Sequence, residues 1–90
     1  MEFASFEKVF RVSGFSSRQI KKIQMECYRN YEDAHGKRIA TSGQKRMSYD
    51  FLINLIRDME YEEIGQYMYS ICRATDDQCK NLYDELENVA

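Results

Sequence analysis

Ser13-Gly14-Phe15-Ser16-Ser17-Arg18-Gln19-Ile20-Lys21-Lys22-Ile23 is the stretch from which the rest of the chain can be read. Ser16 and Gln19 have capping-box spacing, in which each side chain satisfies a backbone N–H near the start of a helix. Phe15 before the cap and Ile20 four places after it are spaced as a hydrophobic staple. The pattern predicts a helix from Ser17, with Gly14 supplying the turn before it. Ile20, Ile23, Cys27, Tyr31 and Ala34 then recur every three or four residues as one buried stripe, and Gly36 is a natural stop. Arg18, Lys21, Lys22, Met25 and Arg29 fall on the opposite face.

On the N-terminal side, Phe3, Phe6 and Phe10 have helical spacing and predict a short helix ending near Ser13-Gly14. On the C-terminal side, residues 36–47 are basic, carry Gly36 and Gly43, and read as a loop, with a short hairpin turning at Ser42-Gly43 as the alternative. Ser48, with Asp50 in the first turn, is the expected start of a third helix whose inward residues are Phe51, Leu52, Leu55, Ile56 and Met59. Glu62 and Glu63 interrupt that stripe, so a kink or turn is expected near Tyr61. Ile64, Tyr67, Met68, Ile71 and Cys72 resume on a shifted phase. Thr75 and Gln78 repeat the capping-box spacing and open a last helix with Cys79, Leu82, Tyr83, Leu86 and Val89 facing inward. The sum is an all-α fold, a compact single domain over residues 1–90 of about five short helices.

Ninety residues, 43% of them apolar, suffice for one small core and not for two. No apolar run approaches bilayer length and the N-terminus lacks a signal-peptide pattern, which predicts a soluble, cytoplasmic protein without a membrane partner. The net charge of −2 conceals a polarity. Residues 1–47 carry ten basic and five acidic side chains, net +5, and residues 48–90 carry three basic and ten acidic, net −7. A basic half beside an acidic half suits a polyanion on one side, or head-to-tail self-association.

Catalytic chemistry finds little footing, and the sequence is read as a non-enzyme without cofactor or metal. His35, the one histidine, lies eight residues beyond Cys27, about 12 Å along a helix and too far for a Cys–His pair. Cys27, Cys72 and Cys79 form neither a Cys-x-x-Cys pair nor an even set, and all sit on apolar stripes as reduced core thiols. Glu62-Glu63 and Asp76-Asp77 are adjacent pairs that point apart on a helix. Gly36 and Gly43 lack the Lys-Ser or Lys-Thr of a phosphate-binding loop.

Binding is better supported. Residues 6–25 present a helix, a glycine turn, a serine cap and a basic helix, and this stretch resembles the helix-turn-helix DNA-binding motif, with Val9, Phe15, Ile20 and Ile23 at its apolar positions and Gly14 at its turn. The resemblance covers about a fifth of the chain. Phe10 departs from it, standing where the motif keeps a small residue, and Glu26 brings a negative charge near the reading face. The resemblance implies that Ser16, Ser17, Arg18, Lys21 and Lys22 meet double-stranded DNA in the major groove, as in a transcriptional regulator. A homodimer is expected because one twenty-residue motif buries little surface. The basic residues Lys37, Arg38, Lys45 and Arg46 are further candidates for phosphate contact.

A rival expectation is a small protein-binding inhibitor, of the kind found in phages and mobile elements, that engages a basic, nucleic-acid-handling partner. Seven tyrosines and five methionines favour interfaces. Tyr49, Tyr61 and Tyr69 fall off the apolar stripes and are expected at the surface. Asp58, Glu60, Tyr61, Glu62 and Glu63 would form the acidic patch.

Overall fold

In a computed structural model the described residues form five α-helices, α1 Phe3–Val12, α2 Ser17–His35, α3 Ser42–Arg57, α4 Tyr61–Cys72 and α5 Asp76–Asn88. The structure describes residues 1–88, and the expected inward position of Val89 lies outside them. No strand occurs among the described residues. The Cα radius of gyration, 12.3 Å, is what a single compact unit of this length requires, about 12 Å. No described helix is long and apolar enough to cross a membrane.

One core draws on every helix. Phe6, Phe10, Ile20, Ile23, Leu52, Ile56, Ile64, Met68 and Leu82 are all fully buried. α2 lies chiefly along α3, while α5 closes the other side of the core against α1, α3 and α4. Phe6 stacks on Tyr49 with ring centroids 4.9 Å apart, which ties α1 to α3. Phe10 is accommodated by aromatic neighbours, meeting Phe6 at 5.0 Å and Phe15 edge-on at 5.4 Å.

The α2 expectation holds at both ends: Ser16 caps it, and Gly36 ends it in the left-handed region at φ 68°. Ile20, Ile23, Cys27 and Tyr31 are buried, but Ala34 is exposed on the last turn. The expected loop or hairpin over 36–47 is corrected. Only 36–41 connect, and residues 42–47 are the first turns of α3. The cap is Thr41, whose Oγ1 accepts the Gln44 N–H at 3.1 Å while Gln44 Oε1 accepts the Thr41 N–H at 3.0 Å. Ser48 is therefore no helix start. It is buried in mid-helix, its hydroxyl donating to Lys45 O at 2.6 Å.

That earlier start goes with a different inward face. Tyr49, Leu52, Ile53 and Ile56 are buried, whereas Phe51 and Leu55, expected inside, are exposed. Tyr49, expected outside, is 3% exposed because the α1 phenylalanines cover it. The break expected near Tyr61 falls at residues 58–60, between α3 and α4.

Candidate functional site

The turn that presents α2 is rigid for local reasons. Ser13, at the end of α1, is buried and its hydroxyl donates to Val9 O at 2.7 Å. Gly14 has φ 93°, a conformation that only glycine adopts without strain, and its N–H donates to Arg11 O at 3.0 Å. Phe15 turns inward and its N–H donates to Phe10 O at 3.0 Å. The chain therefore enters α2 with Ser16, Ser17, Arg18, Lys21 and Lys22 all facing solvent. Among the described residues none of the three cations makes an ion pair. Arg11, which sequence reasoning missed, joins this surface from α1: its guanidinium donates to Ser17 Oγ at 2.8 Å and reaches Glu7 at 3.4 Å.

The other basic candidates do not join that group. Lys37 and Arg38 follow Gly36 at the far end of α2, a helix of 19 residues and therefore roughly 28 Å long. Lys45 and Arg46 lie in the first turns of α3, with Arg46 Nε 3.7 Å from Glu2. Glu26 is partly neutralised, accepting from Arg29 at 2.6 Å and from the Tyr67 hydroxyl at 3.4 Å.

The two halves of opposite charge are less separate in space than along the chain. Gln78, in the first turn of α5, donates to Gly14 O at 3.0 Å and to Gln19 Oε1 at 2.9 Å. The acidic start of α5, Asp76 and Asp77, therefore stands beside the turn that introduces α2.

The acidic candidates also divide. Asp58 caps the end of α3 and Glu60 stands at the start of α4, where Glu63 Oε1 accepts the Glu60 N–H at 3.0 Å. Of these carboxylates Glu63 serves the cap of α4, whereas Asp58 stands at the C-terminal end of α3, where the helix dipole does not favour a negative charge. Tyr61 and Glu62 instead line an open groove of about 440 Å³ between α4 and α5, together with Gly65, Gln66, Tyr69, Ala74, Asp76 and Cys79. Tyr61 leans edge-on against Tyr83 at 5.4 Å, and the Arg73 guanidinium lies 5.7 Å from the centre of the Tyr69 ring.

No protein-family model, curated protein or solved structure matches the chain.

Burial shifts the three thiols toward their neutral form. Burial pushes the Cys27 thiol up, and burial together with Cys79 raises Cys72 to about 11, so both stay protonated near neutrality. A protonated thiol is a poor nucleophile. His35 ends α2 with Nδ1 2.9 Å from Tyr31 O and its ring stacked 4.0 Å from that of Tyr31. Among the described residues no three or more His, Cys, Asp or Glu side chains converge as a metal site.

One surface escaped sequence reasoning altogether. Met47, Phe51 and Leu55 form an exposed apolar stripe along α3, 54%, 36% and 39% accessible. The signal was present in their four-residue spacing, but the same window holds a second apolar set, and nothing local says which of the two faces inward.

Proposed function

We propose that the protein binds double-stranded DNA through the N-terminal half of α2, as a small regulator of transcription without catalytic activity. The observation that carries this reading is the exposed, unpaired set Arg18, Lys21 and Lys22, held at the start of a helix by a turn with a left-handed glycine. Cations so placed reach phosphates and base edges, and Ser16 and Ser17 add hydroxyls at the helix N-terminus. Arg11 extends the cationic surface. Lys37, Arg38, Lys45 and Arg46 form a second basic region for backbone contact further along the duplex.

A single motif of this size offers little surface to DNA, and a homodimer doubles it. The α3 stripe is the face proposed for a second copy. Met47 and Leu55 lie symmetrically four residues on either side of Phe51, so two antiparallel copies related by a two-fold axis at Phe51 bring Met47 of one against Leu55 of the other. None of the three is charged, so no like charges oppose at the centre.

The test is a fluorescence-anisotropy titration of mixed-sequence duplex with the parent and with Arg18→Ala/Lys21→Ala/Lys22→Ala. The parent is expected to bind with a steep loss of affinity as salt rises, and the triple variant to lose binding while keeping its helicity. No binding by the parent rejects the reading, and undiminished binding by the variant rejects the site.

A second reading, a protein-binding inhibitor acting through the acidic half in a cytoplasmic setting, draws on one observation. Tyr61 and Glu62 do not serve a helix cap and instead border an open groove.

A further inference from the structure

We infer that the groove between α4 and α5 receives an arginine side chain of a partner protein, an inference that rests on the second reading above and is independent of DNA binding.

Gly65 is the first support. It lies inside α4, where glycine makes a helix less stable than alanine does, and it does not have the positive φ found at Gly14 and Gly36. A Cβ added at this position meets nothing within 4 Å, so no packing contact forbids a side chain. Neither the backbone nor the core accounts for glycine here. Its effect is on the surface: Tyr61 and Tyr69 stand four residues on either side, on the same helix face, and the missing side chain leaves the space between their rings open.

The chemistry of the walls selects the occupant. Tyr61 and Tyr69 line the groove and are 41% and 55% exposed, so aromatic surface remains accessible there beyond the contacts with Tyr83 and Arg73. Glu62 and Asp76 add carboxylates, and among the described residues no lysine or arginine lines the groove. An anionic partner is repelled, and a purely apolar one buries carboxylates without a counter-charge. A cation satisfies both kinds of wall, through the ring faces and through charge-assisted hydrogen bonds. Guanidinium fits better than ammonium because it is flat, stacks on aromatic rings and forks onto carboxylates. The chain supplies its own example, since Arg73 already lies over Tyr69 and donates to its hydroxyl at 3.4 Å. At about 440 Å³ the groove falls within the roughly 300–1,000 Å³ range of small binding sites.

The test is an amide NMR titration of the whole chain with a capped Gly-Gly-Arg-Gly-Gly peptide, carried to about 10 mM, since one side chain is expected to bind with a dissociation constant on the order of 1 mM. Saturable shifts confined to Gly65, Gln66, Tyr69 and Ala74–Asp76 are expected. The same peptide with citrulline in place of arginine should produce none. Glu62→Gln/Asp76→Asn, both at exposed positions, should weaken binding by about tenfold. Gly65→Leu, which fills the space with a good helix former, should abolish it with melting unchanged or raised. Absence of shifts, shifts spread equally over Asp84 and Glu87, or shifts that survive Gly65→Leu would overturn the assignment. Sedimentation of the peptide-free protein covers the other occupant: self-association lost in Gly65→Leu gives the groove to a second copy and overturns the proposal. If the peptide does not bind but a basic partner still depends on Tyr61 and Glu62, the arginine assignment falls and the second reading stands.

Discussion

Gln19 and Gln78, 59 residues apart, form a reciprocal amide pair, each Nε2 donating to the other's Oε1 at 3.0 and 2.9 Å. Each is also the third helical residue of a capping box, Gln19 accepting from Ser16 N and Gln78 from Thr75 N. Their remaining donor hydrogens go to Cys72 O, at the end of α4, and to Gly14 O, in the turn before α2. Four chain segments therefore meet at two side chains, and the entry of α2 is fixed by α5 as well as by its own cap. Replacing either glutamine by alanine leaves the partner's polar groups unpaired, so each single variant should lose roughly 1–2 kcal/mol. The double variant should lose less than the sum, with a coupling of about 1 kcal/mol in a urea double-mutant cycle. Additive losses would show that the two caps act separately.

This pair also marks where the sequence stops being informative. Both capping boxes are legible because a cap is a matter of three residues and local hydrogen bonds. That the two glutamines meet depends on how α4 returns the chain, which no local pattern encodes. The start of α3 was hidden by chemistry of the same kind: Thr41 and Gln44 have the box spacing, but Gly43 and flanking cations make the segment read as a loop. Within α3, Phe51 with Leu55 and Tyr49 with Ile53 are two apolar sets on one helix, and contact with Phe3 and Phe6 decides in favour of the second. For the basic face of α2, periodicity sufficed. The groove had a sequence signal, a glycine inside a helical stretch between two tyrosines, whose meaning emerges only beside Ala74 and Cys79 of the neighbouring segment.

The Thr41 cap leads to a contrast between two small hydroxyl side chains in one helix. Thr41→Ala removes the acceptor for the Gln44 N–H and should cost about 1 kcal/mol while fraying residues 42–47. Hydrogen exchange should then quicken at Lys45 and Arg46 but not at Ile53 or Ile56. Ser48→Ala removes a hydroxyl already bonded to its own helix, so it should shift the melting point little and leave exchange at 42–47 unchanged. Equal fraying in the two variants would restore Ser48 as the effective helix start.

The buried thiols and Tyr67 make stability depend on alkaline pH. Cys72 rises from the ordinary 9.0 to about 11 in the fold, chiefly by burial, and Tyr67 from 10.0 to about 12 for the same first cause. In each case the folded state keeps its proton to higher pH than the unfolded chain does. Stability is thus full below about pH 9, and it falls as the unfolded chain ionises first, through about 11 for Cys72 and about 12 for Tyr67. Melting points recorded across this window should be flat and then decline. Cys72→Ala should begin from a lower plateau, for lost packing, and decline less between about 9 and about 11. A parallel decline in parent and variant would exclude the thiol as a source.

The α3 stripe makes the oligomeric state measurable apart from DNA. Met47, Phe51 and Leu55 together expose apolar surface on the order of a few hundred Å², short of the roughly 800 Å² that each partner of a stable complex usually buries. Pairing along this stripe alone should therefore be weak, a monomer–dimer equilibrium that fills only at high protein concentration and persists in high salt, because its centre is apolar. Sedimentation equilibrium should show the average mass rising with concentration in the parent. Leu55→Lys sets a charge without a counter-charge against the partner's apolar Met47 and should hold the protein monomeric, while changing the melting point little because the side chain is exposed in the monomer. If the variant still dimerises, the interface lies elsewhere. A parent that stays monomeric at every concentration, with and without duplex, would leave α2 to bind DNA as a single copy, and its affinity should then fall in the weak, largely non-specific range of about 10⁻⁴–10⁻⁶ M.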